Sequence, residues 1–205
     1  MSAEKITSDT TKIINDQAMD ILFRNARTYN HWQKKPVSDV TLKALYDLMK
    51  WAPTSANCSP LRVKFVQSEE QKQKLKPFLD AGNVDKTMSA PVTAILACDM
   101  KFYDHLPKLF PHTDARSWFA GNDALIKATA MRNGTLQGAY MILAARAVGL
   151  DCGAMSGFNA DGVKQAFFGD EDVVVDLLCN LGYGDDTGMF PRSPRFEFDD
   201  VCEII

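Results

Sequence analysis

Residues 91–98, PVTAILAC, restrict the fold of this chain more than any other stretch. They form a continuous apolar run of β-favouring residues without a single charge. A half-buried strand alternates apolar and polar positions; this one does not, so both of its faces need cover. Eight residues are also too few to cross a bilayer as a helix. The run therefore predicts a central strand inside a layered domain. A second run, DVVVDLLCNLGYG at 172–184, reads as another strand. LRVKFVQ at 61–67 alternates Leu61, Val63 and Phe65 with Arg62, Lys64 and Gln67, as a half-buried strand should.

Helical spacing lies between these runs. NDQAMDILFRNAR (15–27) brings Ala18, Ile21, Leu22 and Phe23 together as a short amphipathic helix. After Ser38 or Asp39 as cap, Leu42, Leu45, Leu48, Met49 and Ala52 share a face, and Pro53 provides a stop. EEQKQKLKPFLDA (69–81) predicts a charged surface helix with Leu75, Phe78 and Leu79 inward. Residues 123–148 predict a long helix carrying Leu125, Thr129, Leu136, Ala139, Tyr140, Leu143 and Ala147, closed by Gly149. DCGAMSGFN (151–159) reads as a glycine-rich turn and ADGVKQAFF (160–168) as a short helix. Strands and helices intermingle without strict alternation, which favours α+β or mixed α/β. The 205 residues suit one domain. To it we assign an N-terminal arm (1–15), an aromatic, proline-broken excursion or lid (100–122) outside the core, and an extended C-terminal segment (186–205).

Several functions are disfavoured. With 23 basic and 26 acidic residues the formal charge is −3, so there is no general attraction to nucleic acid. The polar N-terminus lacks a basic start followed by an apolar stretch, so neither a secretory signal nor a membrane span is expected, and the expected location is the cytoplasm. Five cysteines (58, 98, 152, 179, 202) form no C-x-x-C pair and predict no disulfide framework; Cys98 and Cys179 read as buried thiols. Three scattered histidines make no metal site. There is no G-x-G-x-x-G and no Walker A motif. GAMSG fails as a nucleophile elbow, because Ala154 stands where glycine is needed two residues before Ser156. Cys58 lies in the polar loop WAPTSANCSPLR (51–62) with no base identified for it.

What remains is distributed: Arg24 and Arg27 near the start, the polar loop, Asn83 and Lys86 in GNVDK, and Arg192 and Arg195 in FPRSPR. Each arginine could be a solvated surface charge. Arginines from both ends of a chain could equally converge on a phosphate, which guanidinium binds in a bidentate way.

In order along the chain, R-T-Y-N-x-W (27–32), APTSANCSP (52–60), GNVDK (82–86) with APVTAI (90–95), AVGLDCGAMSGF (147–158), LGYG (181–184) and FPRSPR (190–195) resemble the flavin-dependent nitroreductase family. The resemblance runs from about residue 18 to the end. LMKWAPTSANCSP, LFPHTDARSWF and MSGF are most similar to its branch of malonic semialdehyde reductases from the Rut pathway of pyrimidine degradation.

The resemblance implies an α+β fold with a central, mostly antiparallel sheet flanked by helices. It also implies a homodimer with exchanged arms and FMN in each interface pocket. Arg27, Thr28, Arg192 and Arg195 would hold the FMN phosphate and ribityl chain. Asn30, also assigned to the cofactor, stands where many members carry a second basic residue. Pro53, Thr54, Ser55 and Asn57 would line the flavin from the partner subunit. Asn83 and Lys86 would meet its pyrimidine edge. Ser156 and Gly157 would approach N5, with Met155 beside them. Glycines at 153 and 157 would let the main chain approach the flat ring. Lys86 and Ser156 would tune the flavin, and no residue is assigned as an obligate acid or nucleophile. The implied activity is FMN-dependent NAD(P)H oxidoreduction by ping-pong hydride transfer through N5, reducing malonic semialdehyde to 3-hydroxypropionate. Arg116 is the candidate for the substrate carboxylate; a surface pairing with Asp114 is the competing role. Two alternatives are a broad nitro- or quinone reductase and a non-catalytic flavin-binding protein.

Overall fold

A computed structural model of the chain describes residues 13–205. Most of the arm expected at 1–15 therefore lies outside the described residues. The strands are β1 (Leu61–Val66), β2 (Val92–Asp99), β3 (Asp151–Met155) and β4 (Val173–Gly182). The helices are α1 (Asp16–Met19), α2 (Asp39–Met49), α3 (Glu69–Leu75), α4 (Ala81–Ser89), α5 (Leu106–Leu109), α6 (Asp123–Ala147), α7 (Ala160–Phe168) and α8 (Phe198–Val201). The four strands form one sheet in the order β1-β2-β4-β3, every pair antiparallel. This is the α+β architecture implied by the resemblance.

β2 is central, and residues Val92 to Cys98 are all buried. Val92, Ala94 and Leu96 face a core layer with Leu42, Leu45 and Met49 of α2 and Met141, Ala144 and Ala145 of α6. Ile95 and Ala97 face the opposite layer, with Leu75, Leu79, Val163 and Phe168. Each fully buried Leu or Ile is worth about 1.5–3 kcal/mol over an exposed one, so covering both faces stabilises the sheet strongly.

Several expectations need correction. The stretch read as a glycine-rich turn contains β3, whose Gly153 pairs with Asn180. α2 is capped by Ser38 as expected, Oγ accepting from Thr41 N at 3.1 Å. It ends at Met49, though, before Pro53, and Leu48 falls outside the buried stripe. α6 is turned differently from its most apolar reading. Leu125, Leu136 and Tyr140 face outward, while the inner face carries Ile126, Thr129, Asn133, Gly134, Gln137, Gly138 and Met141. The glycines are what allow this: a Cβ at Gly134 would lie 2.2 Å from Cys98 Sγ. The excursion, finally, is not wholly outside the core. Phe102, Leu106, Ala115 and Phe119 are buried against Cys58, Cys98, Ile126 and Ala130.

After α1, residues Asp20–Arg24 form a single π-helical turn, with Ile21 and Phe23 exposed rather than packed inward. Residues 191–205 are exposed throughout. No helix among the described residues is long and apolar enough to cross a membrane.

Candidate functional site

A pocket of about 450 Å³ opens where the segment after α1, the end of α6 and the chain after β4 meet. Arg27, Thr28, Asn30, Arg192 and Arg195 all line it, although they come from opposite ends of the sequence. Arg146 of α6, which the sequence reading did not single out, lines it too. Backbone carbonyls hold these guanidinium groups. Arg27 donates to Phe190 O, Arg192 to Arg24 O (2.8 Å) and Ala26 O (3.1 Å), and Arg195 to Pro194 O (2.9 Å).

Among the described residues no carboxylate lies within 4.0 Å of Arg27, Arg146, Arg192 or Arg195. Arg24 differs, pairing with Asp16 and Asp20. One carboxylate, Asp185, lines the pocket; bonds from the Thr187 backbone and hydroxyl keep it below its usual range and hence negative. Four guanidinium groups less one carboxylate give a formal +3 here from arginine and aspartate, on a chain whose formal charge is −3. Guanidinium donors, the Thr28 hydroxyl and the Asn30 amide are a donor set suited to a phosphate monoester.

A second cluster joins α4 to the end of β3. Asn83 Nδ2 donates to Gly157 O at 2.7 Å, and Asp80 N donates to the same carbonyl at 3.1 Å. Thr87 Oγ1 donates to Met155 Sδ at 3.5 Å. Lys86 is fixed through its main chain, its carbonyl accepting from Trp32 Nε1 (3.0 Å) and Asn180 Nδ2 (3.2 Å). Asn180 is buried and also accepts from Thr93 Oγ1 at 2.7 Å. Buried Lys72 donates to Thr87 O and Ala90 O, closing the C-terminal end of α4. Ser156 is exposed.

Residues 28–32 connect the two clusters. Thr28 forms a parallel bridge with Cys152, Tyr29 N donates to Cys152 O at 3.0 Å, and Trp32 reaches α4. Gly153 and Gly157 have roles within the chain that the sequence reading missed. A Cβ at Gly153 would lie 2.6 Å from Tyr29 O, and one at Gly157 2.6 Å from Asn83 Nδ2. Both glycines let parts of this site approach each other.

The loop holding Pro53, Thr54, Ser55 and Asn57 stands apart. Its conformation is heavily constrained: Ala56, Asn57 and Ser59 have φ of 49°, 51° and 38°. Such left-handed non-glycine residues persist where surrounding bonds enforce them. Here Ser55 N donates to Asn133 Oδ1 (2.8 Å), Ser59 N to Thr54 Oγ1 (3.2 Å) and Asn57 Nδ2 to Leu109 O (2.8 Å). Asn57 lines a larger cavity of about 970 Å³ between α2, β1 and the excursion, which shares no lining residue with the arginine pocket. Cys58 is buried, and burial pushes its thiol up to about 11, away from nucleophilic use.

Arg116 lines neither cavity. Its Nε pairs with Asp104 Oδ1 at 2.8 Å and its guanidinium lies 5.6 Å from the Tyr103 ring centroid. The competing partner named from sequence, Asp114, caps the following 3-10 turn instead, accepting from Ser117 N at 3.3 Å. Among the described residues no three His, Cys, Asp or Glu side chains are grouped to hold a metal.

Residues 24–183 match the family model described as "Nitroreductase family". A relative from Burkholderia lata is 61% identical over 191 residues, covering 93% of this chain and 98% of its own. One from Polynucleobacter asymbioticus is 56% identical over 193 residues, covering 94% and 98%. Both are named "Putative NADH dehydrogenase/NAD(P)H nitroreductase". Among solved structures, one from Exiguobacterium sibiricum, described as "a putative nitroreductase in complex with FMN", superposes with a TM-score of 0.81 at 22% identity, covering 91% of this chain and 96% of that one. An enone reductase of gut-bacterial fatty acid saturation gives a TM-score of 0.79 at 16% identity over 94% of this chain and all of that one. Fold, ordered motifs and family match agree: this chain belongs to the nitroreductase family.

Proposed function

We propose that this protein is an FMN-dependent NAD(P)H oxidoreductase acting as a homodimer. The observation that carries the reading is the pocket of four arginines with no carboxylate partner within 4.0 Å. Structural arginines on a surface usually find acidic neighbours, and four left together invite a dianionic phosphate. Support also comes from the names of the relatives at 61% and 56% identity and from the FMN complex of a fold neighbour.

When bound, FMN supplies hydride exchange between a nicotinamide and an acceptor. The chain's own residues bind and orient it. Arg27, Thr28, Asn30, Arg192 and Arg195 would take the phosphate and ribityl chain. Asn83, tied to Gly157 O through Nδ2, keeps Oδ1 to accept a bond from a ring N–H. Lys86 would supply a cation beside the pyrimidine edge, favouring the reduced state. Met155, Ser156 and Gly157 would hold the N5 side. Pro53, Thr54, Ser55 and Asn57 do not reach the arginine pocket within one chain, which accords with their serving the partner's flavin. The outward Leu125, Leu136 and Tyr140 of α6 and the exposed C-terminal segment suit such a dimer.

As acceptor we propose malonic semialdehyde, reduced to 3-hydroxypropionate in pyrimidine degradation, on the resemblance of the 48–60 and 109–119 strings; Arg116 is its proposed clamp. A second reading, a broad nitro- or quinone reductase, is favoured by the existing Arg116–Asp104 pair, which occupies the proposed clamp. The deciding measurement is an absorbance spectrum of the purified protein before and after anaerobic NAD(P)H. A yellow protein that bleaches supports the reading. One that stays colourless after FMN addition overturns it, and bound FMN that NAD(P)H leaves oxidised makes the protein a non-catalytic binder. Rates of NAD(P)H oxidation with the semialdehyde and with a nitrofuran then separate the two acceptors.

A further inference from the structure

Position 30 is an asparagine, where the resemblance places a basic residue, yet the pocket beside it has no shortage of positive charge. The fourth guanidinium comes from elsewhere, from the last turn of α6. We infer that Arg146 is a phosphate-binding residue of the cofactor pocket, supplying from α6 the cation that position 30 lacks. This rests on the FMN reading above and assigns one more residue to it.

Three features of Arg146 support the assignment. First, its side chain is preorganised: Nη1 donates to Leu22 O at 2.8 Å, inside the π-helical turn 20–24. That bond uses one of five guanidinium N–H donors and leaves the charge unopposed, with no carboxylate within 4.0 Å among the described residues. Second, Arg146 lines the same pocket as Arg27, Arg192 and Arg195. Third, its charge is felt at Cys152. The neighbouring Cys179 thiol and burial push that thiol up, and Arg146 acts on it in the opposite sense. Cys152 is the residue whose backbone bridges Thr28. Thr28, a proposed phosphate ligand, lines the same pocket as Arg146.

Arg146 has an ordinary alternative role, tying α6 to the turn at Leu22. The two roles predict different things. A tie between α6 and that turn affects any flavin equally. A phosphate contact affects FMN and spares riboflavin, which has the same ring and ribityl chain without the phosphate.

The test compares affinities for FMN and riboflavin, read by quenching of flavin fluorescence, in the full-length wild type, Arg146→Gln and Arg146→Lys. Gln removes the charge and keeps an amide on a shorter side chain; Lys keeps the charge. The expected result for Arg146→Gln is an FMN Kd raised roughly tenfold or more with riboflavin affinity unchanged, the size of losing one charge-assisted contact. Arg146→Lys recovers part of the loss, and the salt dependence of FMN binding becomes shallower in Arg146→Gln than in wild type. The inference is overturned if FMN and riboflavin weaken together, or if neither changes. A wild type that binds FMN no better than riboflavin overturns it as well. A wild type that binds neither flavin removes the FMN reading itself, a distinct outcome from an Arg146→Gln that binds FMN normally.

Discussion

Ser55 and Asn133 are 78 positions apart, and a hydrogen bond of 2.8 Å from Ser55 N to Asn133 Oδ1 ties the polar loop to the long helix. Asn133 is 1% exposed and donates through Nδ2 to Thr129 O at 2.8 Å, so both ends of its amide are used. The loop carries three left-handed non-glycine residues, and this bond is among the few that enforce them.

Asn133→Leu is therefore expected to cost about 0.5–1.5 kcal/mol, because the part-buried Ser55 N–H loses its acceptor. It should also weaken FMN binding if the loop cradles flavin in the dimer. Urea denaturation of flavin-free protein reads the first effect and flavin fluorescence the second. An unchanged midpoint would mean that other bonds hold the loop.

Gly134 is needed because of Cys98. Its absent Cβ would lie 2.2 Å from Cys98 Sγ, and Cys98 is fully buried. Gly134→Ala gains up to about 1 kcal/mol of helix propensity. Overpacking a core costs about 1–3 kcal/mol, and at so short a distance it should prevail. The expected result is a lower Tm in Gly134→Ala that Cys98→Ala restores, since the second change removes the obstructing sulfur. Strictly additive effects in this double-mutant cycle would rule out the contact as the cause.

These two positions also show why the sequence, which placed α6 correctly along the chain, assigned its inner face wrongly. Its spacing carries apolar residues on both sides, and Leu125, Leu136 and Tyr140 looked like the inner stripe. The inner face was chosen by closeness to the sheet, which Gly134 and Gly138 permit, and by loop N–H groups that Asn133 and Gln137 satisfy. Hydrophobic periodicity registers none of that. β2 was legible because eight contiguous uncharged, mostly apolar residues fit only a strand covered on both faces. β3 was not, since Gly153 is a strand residue made small by Tyr29 O, a partner more than a hundred positions away. The convergence of Arg27, Arg192 and Arg195 was foreseeable as a possibility. Arg146 was not, because nothing local marks the last turn of α6 as adjacent to residues 22–28.

Tyr29 offers a pH-dependent check on the segment joining the two clusters. Its hydroxyl donates to Asp186 Oδ1 at 3.1 Å, and its phenol is pushed up to about 12, first by burial and then by the Asp151 charge. The folded state thus prefers the neutral phenol more than the unfolded chain does. Its contribution is fully present below about pH 10, the unfolded value, and is lost as pH rises towards 12. Alkaline titration of phenolate absorbance, wild type minus Tyr29→Phe, should show the missing phenol titrating near 12. The variant should also lose less stability than wild type between those pH values. A missing phenol that titrates near 10 would mean that Tyr29 is not enclosed.

The Arg116–Asp104 pair makes the substrate proposal testable in two directions. A clamp for a carboxylate substrate has to release Asp104 first, since the 2.8 Å contact occupies Arg116 Nε. Both side chains are about half exposed, so the pair itself contributes little to stability and either partner can be replaced without unfolding the chain. Arg116→Ala should raise KM for malonic semialdehyde roughly tenfold while leaving KM for a neutral quinone nearly unchanged. Asp104→Asn removes the competing carboxylate and should lower KM for the semialdehyde, again sparing the quinone. The two substitutions thus move one constant in opposite directions. Equal effects on both acceptors, or an Asp104→Asn that raises KM for the semialdehyde, would leave the pair as a surface contact and favour the broad nitro- and quinone-reductase reading.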